Sequence, residues 1–222
     1  RREAGVPLTV IAEFKQASPS RGPICHSLTV EEAARQYVAA GAGALSILTE
    51  RRFFAGELDF LGRAAACCPG TPLLRKDFIF DPLQVRAMAA TPAAALLLIV
   101  ALTPDAALLR RLREQAESLG MQAVVEVCGK KDLVLARESG ARIIQVNARD
   151  LDTLRVDRQA CLELARQCPP ERGEIWIAAS GMDRREHLEE AARAGFSSAL
   201  VGTALMQEGQ PGAALRRLLR GR

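Results

Sequence analysis

The chain has 222 residues, of which 49% are hydrophobic and 25% charged, values that fit a folded domain with a sizeable core and exclude disordered and fibrous classes. Aromatic residues make up only 4%, so the core has to be aliphatic. The net charge of +4 is dispersed apart from Arg216, Arg217, Arg220 and Arg222, which read as cations closing a last helix rather than as a nucleic-acid patch.

Short apolar runs alternate with amphipathic segments along the whole chain, the pattern of βα units whose strands are buried on both faces. In chain order the strands are expected at Leu8 to Glu13, Ala44 to Thr49, Leu73 to Arg75, Ala95 to Val100, Gln122 to Glu126, Ile143 to Val146, Ile175 to Ala178 and Ser198 to Val201. A helical pattern follows each. Thr29, ahead of Glu31 and Glu32, predicts an N-cap, and Thr103-Pro104-Asp105 predicts another with proline at the first helical position. Gly41, Gly120, Gly140 and Gly195 stand just past helical runs, where a left-handed cap favours a residue without Cβ. Eight parallel units without an antiparallel hairpin signal predict one (β/α)8 TIM barrel over residues 1–222, with no linker or second domain.

Six cysteines (Cys25, Cys67, Cys68, Cys128, Cys161 and Cys168) lack metal-ligand spacing, and His26 and His187 lie far apart, so no metal is expected. The sequence has no secretory signal and no apolar run of membrane length, which predicts a cytoplasmic protein with reduced thiols and no membrane partner. It begins at Arg1 rather than Met, with a strand expected within ten residues, so a preceding segment is expected. Oligomeric state is not readable from the sequence.

In such barrels the chemistry lies at the C-terminal strand ends and in the loops beyond them. The polar residues there are Glu13 and Lys15, Glu50, Lys76 and Asp77, Glu126, Asn147 and Arg149, Ser180, and Gly202 and Thr203. Two lysines and two carboxylates on one mouth can perturb one another's pKa values, as proton transfer near neutral pH requires. A rim salt bridge is the bland reading of any one of them alone. Ser180-Gly181 after strand seven and Gly202-Thr203 after strand eight match the usual phosphate site of the fold, although either glycine by itself also suits a tight turn.

The stretch Ile11-Ala12-Glu13-Phe14-Lys15-Gln16-Ala17-Ser18-Pro19-Ser20-Arg21-Gly22 resembles the signature of indole-3-glycerol-phosphate synthase, and further similar stretches follow in the family's order over almost the whole chain. They are Leu45 to Glu50 with Phe53-Phe54 and Gly56, Leu74 to Ile79, Leu97 to Val100, Val125 to Val127, Val146 to Leu151, Ala179 to Gly181, and Val201 to Met206. The resemblance implies conversion of 1-(o-carboxyphenylamino)-1-deoxyribulose 5-phosphate to indole glycerol phosphate, carbon dioxide and water, in tryptophan biosynthesis and without a cofactor. It implies Lys76 as the principal general acid, Lys15 as the carboxylate ligand serving dehydration, Glu126 as partner acid or base, and Glu13 as the residue that orients Lys15. Asn147 and Arg149 would hold the substrate. Phe54, Leu97 and Ile99 would form the slot for its ring, or else plain packing, while Ser18, Ser180, Gly181, Gly202 and Thr203 would take its phosphate.

Two positions depart from the family pattern. Ala179 stands where a glutamate usually precedes the Ser-Gly of strand seven, and its absence is expected to leave Lys15 or Lys76 with a lower pKa. Pro92-Ala93-Ala94 replaces Gly-Ala-Asp, removing a helix cap. The resemblance also implies an N-terminal extension that helps cover the active site, expected in the segment preceding Arg1. Two alternatives remain: a phosphoribosylanthranilate isomerase-like barrel, whose expected cysteine and aspartate have no matching context here, and a barrel that keeps the phosphate pocket but has lost turnover.

Overall fold

The computed structural model describes residues 8–25, 27–151 and 153–221; Arg1, His26 and Arg222 lie outside them. The aliphatic runs form eight parallel strands, β1 (Thr9–Phe14), β2 (Ala44–Leu48), β3 (Leu73–Lys76), β4 (Ala95–Ile99), β5 (Gln122–Val127), β6 (Ile143–Asn147), β7 (Ile175–Ala179) and β8 (Ser198–Val201). Each pairs with its neighbours in sequence. The barrel closes where β1 joins β8 with Thr9 opposite Ser198, while on its other side β1 pairs Ile11 with Ala44 of β2.

Strand periodicity sorts the side chains onto two faces. One parity of each strand contributes to the core between sheet and helices, where Val10, Leu45, Leu96, Val125, Ile144 and Trp176 are buried. The other parity fills the barrel interior with Leu74, Leu97, Ile99, Val124, Ile177, Ala179 and Leu200. Full burial of each large aliphatic side chain contributes about 1.5–3 kcal/mol. Glu13, Lys76, Glu126 and Asn147 share the interior parity at the C-terminal ends of their strands, so the same alternation that builds the core aims them into the mouth.

Eight helices wrap the sheet: α1 (Val30–Ala39), α2 (Asp59–Cys67), α3 (Pro82–Met88), α4 (Ala106–Ser118), α5 (Lys130–Glu138), α6 (Arg158–Gln167), α7 (Arg185–Arg193) and α8 (Pro211–Arg220). Thr29 caps α1 in a capping box with Glu32, as expected. The α4 cap is Asp105, not Thr103, and Pro104 precedes the helix. Thr103 is drawn off by a short 3-10 turn at Val100–Leu102, where its hydroxyl donates to the Ile99 carbonyl at 3.0 Å. The same turn ends β4 one residue early.

The four expected glycine caps, Gly41, Gly120, Gly140 and Gly195, all have positive φ. The cap missing at Pro92 is replaced by Thr91, whose backbone N–H and hydroxyl both reach the Met88 carbonyl, at 2.9 and 2.7 Å. The expectation of no hairpin fails once. Ala17–Ser18 and Gly22–Pro23 form a two-rung antiparallel ribbon in the loop after β1, too short to carry a periodic signal. None of the six cysteines forms a disulfide, and among the described residues no helix is long and apolar enough to cross a membrane.

Candidate active site

A cavity of about 1100 Å³ opens at the C-terminal ends of the strands. On its floor the two lysines and two carboxylates meet. The Lys15 ammonium lies 2.9 Å from Glu13 Oε1, and Lys76 Nζ stands 4.0 Å from Glu13 Oε2 and 3.6 Å from Glu126 Oε2. Ser46 Oγ donates to Glu13 Oε2 at 3.2 Å. Asn147 Nδ2 donates to Glu126 Oε1 at 3.0 Å, and Asn147 Oδ1 accepts from Ser180 Oγ at 2.8 Å and from the Arg149 backbone N–H at 3.0 Å. One connected network therefore runs from β1 through β3 and β5 to β7.

Electrostatics favour the charged states of Glu13 and Lys76. Burial works against the Glu13 charge, but the Lys15 and Lys76 ammonium groups and the Lys15 and Ser46 hydrogen bonds outweigh it and hold the carboxyl below its ordinary 4.5. Burial likewise works against Lys76, and Glu126 and Glu13 outweigh it, so its pKa lies above the ordinary 10.5. Stability drawn from the Glu13 charge is present above about pH 4.5 and lost as pH falls through its lowered pKa; that drawn from Lys76 is present below 10.5 and lost as pH rises through its raised one.

The five residues expected to take the phosphate face the same cavity as the lysines. Ser18, Ser180, Gly181, Gly202 and Thr203 all border the cavity. The buried Ser18 hydroxyl has no hydrogen-bond partner among the described residues. Gly181 and Ser180 both have positive φ, which makes the strand-seven turn a strained one at the serine. Gly202 has φ −123°, open to any residue, yet a Cβ there would fall 2.5 Å from Glu13 Oε1. Its lack of a side chain serves close approach rather than the turn.

Phe54, Leu97 and Ile99 also face the cavity, with the Phe54 ring 6.2 Å from Phe78. Arg149 is bonded through Nη1 to the Leu154 carbonyl at 2.7 Å, and burial together with the neighbouring Arg21 disfavours its charged form. Asp77 and Glu50 border the mouth but are occupied elsewhere. Asp77 accepts from Thr49 at 2.6 Å and Arg75 at 2.8 Å, and Glu50 caps the short helix Arg51–Phe54 by accepting from the backbone of Arg52 and Phe53.

The model of the family "Indole-3-glycerol phosphate synthase" matches residues 2–218. The chain belongs to that family. The indole-3-glycerol phosphate synthase of Chloroherpeton thalassium is 44% identical over 207 residues, 93% of this chain and 78% of the relative. That of Koribacter versatilis is 41% identical over 219 residues, 99% and 82%. Among solved structures, a 3-hexulose-6-phosphate synthase superposes with a TM-score of 0.75 at 15% identity, covering 95% of this chain and 98% of the other, a likeness of fold alone.

Within this member of the indole-3-glycerol phosphate synthase family, the motif reading overlooked Ser46, Gln145 and Arg21. Ser46 and Gln145 each interrupt an otherwise apolar strand at the interior parity, and both are fully buried against a site carboxylate, Glu13 and Glu126 respectively. A lone polar residue inside a buried strand was the signal. Ala179, where the family pattern has a glutamate, is 3% exposed and packs into the apolar interior layer at the edge of the cavity.

Proposed function

We propose that this protein closes the indole ring, converting 1-(o-carboxyphenylamino)-1-deoxyribulose 5-phosphate to indole glycerol phosphate with release of carbon dioxide and water. The observation that carries this reading is the Lys76 ammonium held between Glu13 and Glu126 on the floor of a cavity with apolar and glycine-rich walls. The ring carbon bearing the carboxylate attacks the ketone while Lys76 protonates the carbonyl oxygen. Carbon dioxide then leaves and restores aromaticity. The ring nitrogen lone pair then expels the new hydroxyl, which departs as water when Lys15 or Lys76 supplies a second proton, and the adjacent methylene carbon gives up a proton to complete the indole, with Glu13 orienting Lys15 and Glu126 taking up or returning protons through Lys76.

Arg149 and Asn147 hold the substrate, with Arg21 beside them to balance its carboxylate. Phe54, Leu97 and Ile99 clasp the aromatic ring, and Ser18, Ser180, Gly181, Gly202 and Thr203 take the phosphate. The residues form one catalytic unit, and a phosphorylated substrate, which does not cross a bilayer unaided, assigns the reaction to the cytoplasm. Incubation of the protein with the carboxyphenylamino substrate should produce the rising fluorescence of indole glycerol phosphate, and a flat trace would leave a phosphate-binding barrel without turnover.

The anion wall gives an independent expectation. Inorganic phosphate at constant ionic strength should compete with substrate and raise the melting temperature, the stabilisation growing with the logarithm of concentration once the site is nearly saturated. An unmoved melting temperature would remove the phosphate assignment.

A further inference from the structure

We infer that Gln145 is a positioning residue for Glu126, holding its carboxylate aimed at Lys76. The inference rests on the reaction proposed above but concerns a residue that the motifs do not reach. Gln145 lies on β6 two positions before Asn147, so both amides point into the barrel, and in register it is the direct partner of Glu126. Its side chain is completely buried. Nε2 donates to Glu126 Oε2, while Asn147 Nδ2 donates to Oε1 at 3.0 Å. Each carboxylate oxygen thus receives one amide donor, and Lys76 approaches Oε2 from 3.6 Å.

The remaining surroundings leave this task to the amide. Facing Glu126 from β3 is Lys76, and beyond it on β1 stands Glu13 with Lys15. The register partner on β4 is Ile99, and β7 places Ile177 beside Gln145, both apolar. Gln145 Oε1 has no partner among the described residues, so this amide makes its bond to Glu126 with one end left over. A glutamine retained for packing alone would be better replaced by an aliphatic side chain in this layer. Two amide donors, one on each oxygen, fix the plane of the Glu126 carboxyl and the direction in which Oε2 meets Lys76.

The test is Gln145→Met, which keeps length and volume and removes the donor. In the parent and the variant, kcat and KM are measured from acidic to neutral pH. The acidic limb of kcat should move up by about one pH unit, and kcat on that flank should fall about tenfold. KM should change less than about threefold, since the phosphate and ring contacts lie on other strands. An unshifted limb overturns the inference.

Gln145→Glu covers the case of a variant that folds poorly. Sharing one proton with Glu126, it keeps a donor and should retain activity at acidic pH, then lose it as the pair gives up that proton, a tilt opposite to that of the methionine variant. The same tilt in both variants also overturns the inference. Should the parent show no turnover, the reaction assignment fails separately. Glu126 is then followed by its carboxyl carbon resonance, assigned by its disappearance in Glu126→Gln. Titration at higher pH in Gln145→Met than in the parent supports the inference, and coincident titrations refute it.

Discussion

Lys76→Met should lower kcat by about 10²–10⁴-fold, the usual worth of a positioned general acid, with product affinity nearly intact. The methionine keeps the apolar stem and removes only the charged head. Binding should survive because the proposed phosphate contacts belong to the ends of β7 and β8 and to Ser18, whereas Lys76 ends β3. In the parent, Glu126 and Glu13 hold the Lys76 pKa above its ordinary value, so loss of its proton should not limit turnover between about pH 6 and 9. The lysine keeps its proton until a strongly basic oxygen develops beside it. The variant should also melt lower than the parent, because Glu13 and Glu126 lose the cation they share, and the gap should narrow on acidification as a carboxylate takes up a proton. Steady-state kinetics with product titration by fluorescence decide the matter. Parental turnover, or a loss of binding equal to the loss of rate, would remove Lys76 as the acid.

The barrel was legible because short apolar runs, buried on both faces, alternate with amphipathic segments, several of them opened or closed by a cap residue or glycine of fixed chemistry. Glu13, Lys76, Glu126 and Asn147 could be picked out since a charged or amide side chain at the end of an apolar strand has only the mouth to face. Strand ends were less readable. β2 stops at Leu48, one residue short of the expected Thr49, whose hydroxyl donates to Asp77, 28 residues away, at 2.6 Å. Thr103 failed as a cap for a similar reason, its hydroxyl being used by a backbone carbonyl in a turn with no sequence signature. Asp77 and Glu50 looked equivalent to Glu13 in one dimension. Only the pairing of Asp77 with Arg75 and the capping role of Glu50 separate them from the proton-transfer cluster. Gln145 and Ser46 show the converse, polar residues hidden mid-strand whose purpose appears only when the neighbouring strand supplies a carboxylate.

Gly202→Ala should damage rate and phosphate affinity together, lowering kcat/KM about 10–100-fold, or roughly 1.4–2.7 kcal/mol of barrier. The backbone at Gly202 has φ −123°, so alanine meets no left-handed strain there. The harm comes from space: the added Cβ would sit 2.5 Å from Glu13 Oε1 and 3.1 Å from Glu13 Cβ. Glu13 has little room to yield, since it is buried, pairs with Lys15 at 2.9 Å and accepts from Ser46 at 3.2 Å. Displacing it loosens Lys15 and withdraws one of the two carboxylates that keep Lys76 charged, while the methyl group itself narrows the proposed phosphate site. A glycine conserving only anion contact would raise KM and spare kcat; this one should move both. The coupling can be measured directly. In a Glu13→Asp background the shorter side chain retreats from the alanine, so the further loss caused by Gly202→Ala should shrink, giving a non-additive double-mutant cycle. Strictly additive losses would mean that Gly202 and Glu13 act independently, and that the anion wall and the proton-transfer floor share a cavity without sharing an atom-to-atom contact.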